Sequence, residues 1–154
     1  MNLGFSYVGL IYLAMLFIPN LFWTKNKPEN YDVYVKNENR TFKIFESIGQ
    51  VSVSCVVLIF KDFNFTIKPW TIWLALSFSF MVLYEVYWLR YFKSKKTMKD
   101  FYGSMLCFPV PGALLPVISF LLLGIYGKNI ILIIATLILG IGHIGIHINH
   151  KKEI

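Results

Sequence analysis

The sequence predicts an all-α fold: a multi-pass transmembrane helical bundle of five spans, the fourth broken by prolines. Three observations carry this reading. The 154 residues are 56% hydrophobic and only 15% charged, more apolar surface than a soluble domain of this size can hide. The apolar residues are gathered in runs of about twenty, the length that crosses ~30 Å of hydrocarbon at ~1.5 Å per residue. The charges fall mostly between those runs. Residues 1–154 therefore read as a single integral membrane domain.

The first span covers about 3–22. Gly4, Ser6, Gly9 and Ala14 are small positions suited to close helix contact, and Pro19 lies near its end. Phe22 and Trp23 read as an interfacial anchor. No basic stretch precedes the run, so it reads as a retained span rather than a cleaved leader. In the polar connection that follows, Tyr31, Tyr34, Val35 and Glu38 keep helical spacing after Pro28, which predicts a short surface helix.

The second span, about 44–60, is the most polar; Glu46, Gln50 and Ser54 recur every fourth residue and form a hydrophilic stripe. The third, about 69–89, opens at Pro69 and carries Glu85 inside its apolar run, ringed by Tyr84, Tyr87, Trp88 and Tyr91. The fourth, about 101–126, contains Pro109, Pro111 and Pro116. Pro109 and Pro111 each remove a backbone donor, and carbonyls freed in lipid need partners, so both are expected to line a cavity. After a turn at Tyr126–Lys128, the fifth span covers about 129–149. It ends in all three histidines of the chain. At ~100° per residue, Thr136, Gly140, His143, His147 and His150 share one face. That stripe either meets other helices or rises to the membrane surface.

Charge fixes the expected orientation. Residues 23–43 hold five lysines and arginines, residues 90–100 hold five, and the tail adds Lys151 and Lys152. Only Lys61, Lys68 and Lys128 lie on the other side. This places the N-terminus outside and the C-terminus in the cytoplasm, in the cell membrane. A net charge of +7 alone would suggest nucleic acid, but its placement in short connections between apolar runs excludes that partner. The expected partners are the bilayer, its anionic headgroups, and a membrane protein or a second copy of the chain. Cys55 and Cys107 belong to no CxxC pair and read as small buried hydrophobes.

Depth gathers the awkward groups. With each span centred on its apolar run, Glu46 lies ~9 Å, Glu85 ~8 Å, His143 ~6 Å and His147 ~12 Å from the midplane, all on the cytoplasmic side. An ionised group at a helix centre costs ~3 kcal/mol on insertion scales, which is lowered when such groups face one another. Glu46, Gln50, Glu85, His143 and His147 are therefore the candidate ligand- or cation-binding residues. The alternative pairs Glu46 with Lys43, lifts Glu85 toward Arg90, and leaves His147 and His150 at the interface.

His143 and His147, at i and i+4, are also spaced as two metal ligands, with Glu46 or Glu85 as a third. Apart from that divalent ion, no cofactor is expected. HxxxHxxH bears a superficial likeness to a histidine box of the membrane di-iron hydroxylases and desaturases, which use several such boxes; three histidines are too few for that site. Gly140–Gly145 matches GxGxxG but lies in an apolar helix with no preceding strand, so its glycines read as packing positions. No catalytic motif is present, and no catalytic residue is expected. The sequence thus points to a small transporter or solute- or cation-binding protein with a cytoplasm-facing polar cavity. The alternatives are a non-catalytic membrane subunit or assembly factor and, last, an enzyme acting on lipid with Glu46 or Glu85 as base.

Overall fold

The computed structural model describes residues 1–154. The chain is all-helical: α1 (Tyr7–Thr24), α2 (Tyr31–Lys36), α3 (Arg40–Ile59), α4 (Ile72–Lys93), α5 (Met98–Phe101), α6 (Pro111–Tyr126) and α7 (Ile130–Glu153). Four of them, α1, α3, α4 and α7, are long and apolar enough to cross a membrane. The fifth apolar helix, α6, has 16 residues. The long helices run alternately up and down. Tyr91, Tyr102 and His150 gather at one end of the bundle, here the histidine end; Asn2, Asp62 and Tyr126 lie at the other.

Helix boundaries follow local chemistry. Asn39 caps α3 by accepting the Thr41 N–H at 2.8 Å, which starts this helix at Arg40 and makes it 20 residues long. Ser6 caps α1 in the same way through Gly9 N–H. Before it the chain is extended rather than helical. Gly4, at φ 150°, lets residues 2–6 run against the end of α3, with Gly4 N–H donating to Ile59 O and Ser6 N–H to Leu58 O. Pro19 sits inside α1 without ending it. The fourth apolar run divides: α5 carries a capping box from Thr97 and Asp100, residues 102–110 are not helical, and α6 opens on Pro111. At that first position the missing N–H has no helical partner to lose. Pro116 lies buried within α6.

The shortest apolar helix is the central one. No residue of α6 is exposed. It packs against α4 on one side and α7 on the other, while α3 lies along α7. Helix α1 touches α3 and α4 only lightly. Ser77 of α4 and Ser119 of α6 exchange hydrogen bonds through their hydroxyls and carbonyls at 2.7 and 2.8 Å, and Tyr12 OH of α1 joins them at 2.9 Å. Polar groups in the apolar interior are thus satisfied between helices. The other four long helices carry outward rows of large apolar side chains, such as Leu10, Ile18 and Leu21 on α1 and Ile134, Leu137 and Ile141 on α7.

Glycines set the spacing. A Cβ at Gly142 would fall 2.2 Å from Glu46 N, and one at Gly49 would fall 2.4 Å from Leu139 N, so α3 and α7 meet backbone to backbone. Gly145 lies flat against the Phe42 ring. At Gly9, a Cβ would fall only 2.0 Å from Val57 O, and there α1 crosses α3. The cysteines differ from expectation: both are exposed and free. Cys55 falls on the face of α3 turned away from its buried Val53, Val56 and Val57, and Cys107 lies in the non-helical stretch before α6.

Gly142→Ala should push α3 from α7 and destabilise the protein by about 1–3 kcal/mol, the usual cost of overpacking. Gly140→Ala, where a Cβ would meet only the side-chain ends of Val117 at 3.2 Å and Ile144 at 3.8 Å, should cost clearly less. Unfolding midpoints of the two variants in the same detergent test the ranking.

Candidate functional site

Helix α1 leaves α3 after Gly9 and meets α4 again near Asn20, where Asn20 Nδ2 donates to Tyr84 OH at 2.9 Å. Between these contacts the bundle holds a cavity of about 280 Å³. Leu16, Phe17, Asn20 and Trp23 of α1 form one wall. Glu46 and Gln50 of α3 with His143 and His147 of α7 form the polar wall. Tyr84 and Trp88 of α4 and Gly112, Pro116 and Phe120 of α6 close the back.

On the polar wall, His143 Nδ1–H donates to Glu46 Oε1 at 2.5 Å, with both side chains about a quarter exposed to the cavity. The His147 ring lies 4.5 Å from that of His143, centre to centre. These three side chains are not arranged as a group that could hold a metal ion. The aromatic wall faces this pair: Trp23 stacks on Phe101 at 5.4 Å and meets Tyr31 edge-on at 4.8 Å. The indole N–H groups of Trp23 and Trp88 are buried without an acceptor.

Tyr31 of α2 and Phe101 of α5 cover the cavity at the histidine end. Behind them, Tyr102 OH and His150 Nδ1 share a hydrogen bond of 2.7 Å. His150 Nε2 faces Glu38 Oε1 at 3.4 Å, and Glu38 in turn pairs with Lys43 at 3.2 Å. His150 is only 2% exposed. Burial, then the Glu38 and Glu46 carboxylates, push the Tyr31 phenol up. Burial does the same to Tyr102. Both phenols therefore remain neutral donors at physiological pH. This cover ties α2 and α5 to the end of α7.

Of the residues singled out in the sequence, Glu46, Gln50, His143 and His147 come together on one wall. Glu85 does not join them; it lies in a separate groove between α1 and α4. Pro109 and Pro111 do not line the cavity, and their neighbours Gly112 and Pro116 do. The Pro109 carbonyl instead accepts Lys151 Nζ at 2.5 Å at the protein surface. The local pairings Lys43–Glu46 and Arg90–Glu85 do not form: Lys43 turns to Glu38, and Arg90 donates to the carbonyls of Gly103 and Ser104. The histidine stripe faces other helices, with Thr136, Gly140 and His150 buried.

Sequence reasoning missed the aromatic wall. Trp23 reads as an interfacial anchor, Trp88 as part of an aromatic belt and Tyr31 as part of a surface helix, yet all three line the cavity. The helical spacing of Tyr31, Tyr34 and Glu38, and the placement of an acid among aromatics, were the available signals. The chain matches no family model, and no curated protein or solved structure matches it.

The Glu46–His143 bond should be worth about 1–2 kcal/mol by coupling. In a double-mutant cycle of Glu46→Gln and His143→Gln, the double variant should be more stable than the sum of the single losses predicts. Additive losses in thermal or denaturant unfolding would show that the two side chains do not act as a pair.

Proposed function

We propose that the protein crosses the bilayer five times, through α1, α3, α4, α6 and α7, and binds a small organic cation in the central cavity. It acts as a transporter or a solute-binding membrane protein. The histidine end faces the cytoplasm, because twelve of the fifteen lysines and arginines lie in the connections and tail at that end. The cell membrane is the proposed location, with anionic headgroups held by these basic connections.

One observation carries the reading: a carboxylate set among aromatic rings. Glu46 shares the cavity wall with Trp23, Tyr31, Tyr84, Trp88 and Phe101. A positive group entering this space meets a counter-charge and several ring faces, and each cation–π contact contributes ~0.5–2 kcal/mol, most when desolvated. His143 holds the Glu46 carboxylate in place, and His147 stands behind it. The volume suits a compact quaternary or protonated amine rather than a long chain. Exposed Gln50 and half-exposed Phe17 mark where the cavity opens between α1 and α3.

The test is binding of bromobenzyltrimethylammonium to the protein in lipid nanodiscs. Bromine quenches nearby indoles, so saturable quenching is expected from Trp23 and Trp88. Glu46→Gln should weaken it at least tenfold, a loss of about 1.4 kcal/mol or more. Quenching that does not saturate, or that Glu46→Gln leaves unchanged, overturns the reading. Uptake of the same ion into proteoliposomes then separates a transporter from a binder.

A further inference from the structure

Glu85 lies on the side of α4 away from the cavity. It faces a groove of about 340 Å³ between α1 and α4, with Pro19, Phe22, Trp88 and Phe92 among its walls. Its Oε1 is buried and makes no hydrogen bond. The basic side chains within reach are already engaged. Arg90 donates to Gly103 O at 2.7 Å and Ser104 O at 2.9 Å. Lys96, at the histidine end of the groove, donates to Asn26 Oδ1 at 2.6 Å.

A carboxylate beside hydrocarbon with no counter-charge is costly, and a cation at that depth removes the cost. A second copy of the chain carries no cation at that level of its long helices. Every lysine and arginine lies in a connection, a short helix or an end turn of a long helix. Glu85 is eight residues, ~12 Å, inside the last residue of α4. A cation dissolved in the lipid phase can reach that level.

The groove has the walls for it. Trp88 and Phe92 stack at 5.3 Å and 19°, giving a flat aromatic surface beside the acid. Lys96 repels cations at the aqueous end, which leaves the bilayer side open. We infer that Glu85 and the Trp88–Phe92 wall form a second site, facing lipid, for the ammonium group of a small organic cation dissolved in the leaflet. Trp88 also lines the cavity, so one indole separates the two spaces. This inference stands on Glu85 and the groove, independently of what the cavity binds.

The experiment uses nanodisc-embedded Glu46→Gln protein, in which the cavity acid is silenced, and a lipid-partitioning probe, bromobenzyl dimethyl hexyl ammonium. Saturable quenching of indole fluorescence is expected. Adding Glu85→Gln should weaken it at least tenfold, and Glu85→Asp should keep part of it. The uncharged bromobenzyl hexyl ether should give only the non-saturating quenching of simple partition. Because Glu85 Oε1 has no hydrogen bond to lose, neither variant should unfold below the parent midpoint. Equal quenching with and without the Glu85 carboxylate, or saturation by the ether, overturns the site. If the cavity probe fails on the parent protein while this Glu85-dependent binding persists, the cavity reading falls and the groove remains.

Discussion

The contact of Gly142 with the backbone of Glu46 is the constraint on which the rest depends. Where any other residue would carry a Cβ, the α3 main chain passes. Without an attraction between apolar surfaces in lipid, helices hold together by close packing and by hydrogen bonds between them. This seam has both: glycines at 49, 142 and 145, and one residue after Gly142 the short bond from His143 to Glu46. The same approach fixes the rotation of α7. With Gly142 against α3, the face bearing Thr136, His143, His147 and His150 turns into the bundle.

The cavity exists because the opposite seam is loose. Helix α1 touches α3 closely at Gly9 and then diverges. Its first end is held by the extended strand of residues 2–6 and by Asn64, whose Oδ1 accepts Tyr7 N–H at 2.9 Å. Its last end is held by Asn20 and by the Asn26 carbonyl, which accepts Tyr91 OH at 2.6 Å. Held at both ends and by Tyr12 in its first half, α1 stands off from Glu46 beyond it and leaves a space lined by its own Leu16, Phe17 and Trp23. A tight seam places the chemical groups, and a slack one leaves room beside them.

Much of this was legible in the residues, and the exceptions have physical causes. Apolar run length gave the long helices, because hydrophobic thickness is a one-dimensional property. Glu46 and Gln50 of the polar stripe and His143 and His147 of the histidine stripe line the cavity, since helical periodicity determines which residues share a side. The fate of Glu85 was not legible. It sits at nearly the same depth as Glu46, but depth says nothing about rotation around α4, and the neighbouring Ser77, Met81, Tyr84 and Trp88 fill the inward face. Prolines misled in a related way. Pro111 marks where a helix begins rather than where one breaks, and the residues that reach the cavity are the following Gly112 and Pro116. The aromatic wall was hidden because Trp and Tyr near the end of a span have two good environments, the headgroup layer and a packed interior. Only tertiary contacts choose between them.

The position of α1 has a consequence for how the molecule comes to be assembled. It leaves the ribosome before α3 and α4, yet its partners lie there. Tyr12 OH must wait for Ser77, 65 residues on; Asn20 for Tyr84, 64 residues on; and the amide of Tyr7 for Asn64, 57 residues on. Meanwhile α6, covered on every side in the finished protein, can be buried only once α4 and α7 flank it. Helix α1 therefore waits for α4, and α6 for α7, and until both are seated the acid of α3 faces an unfinished wall.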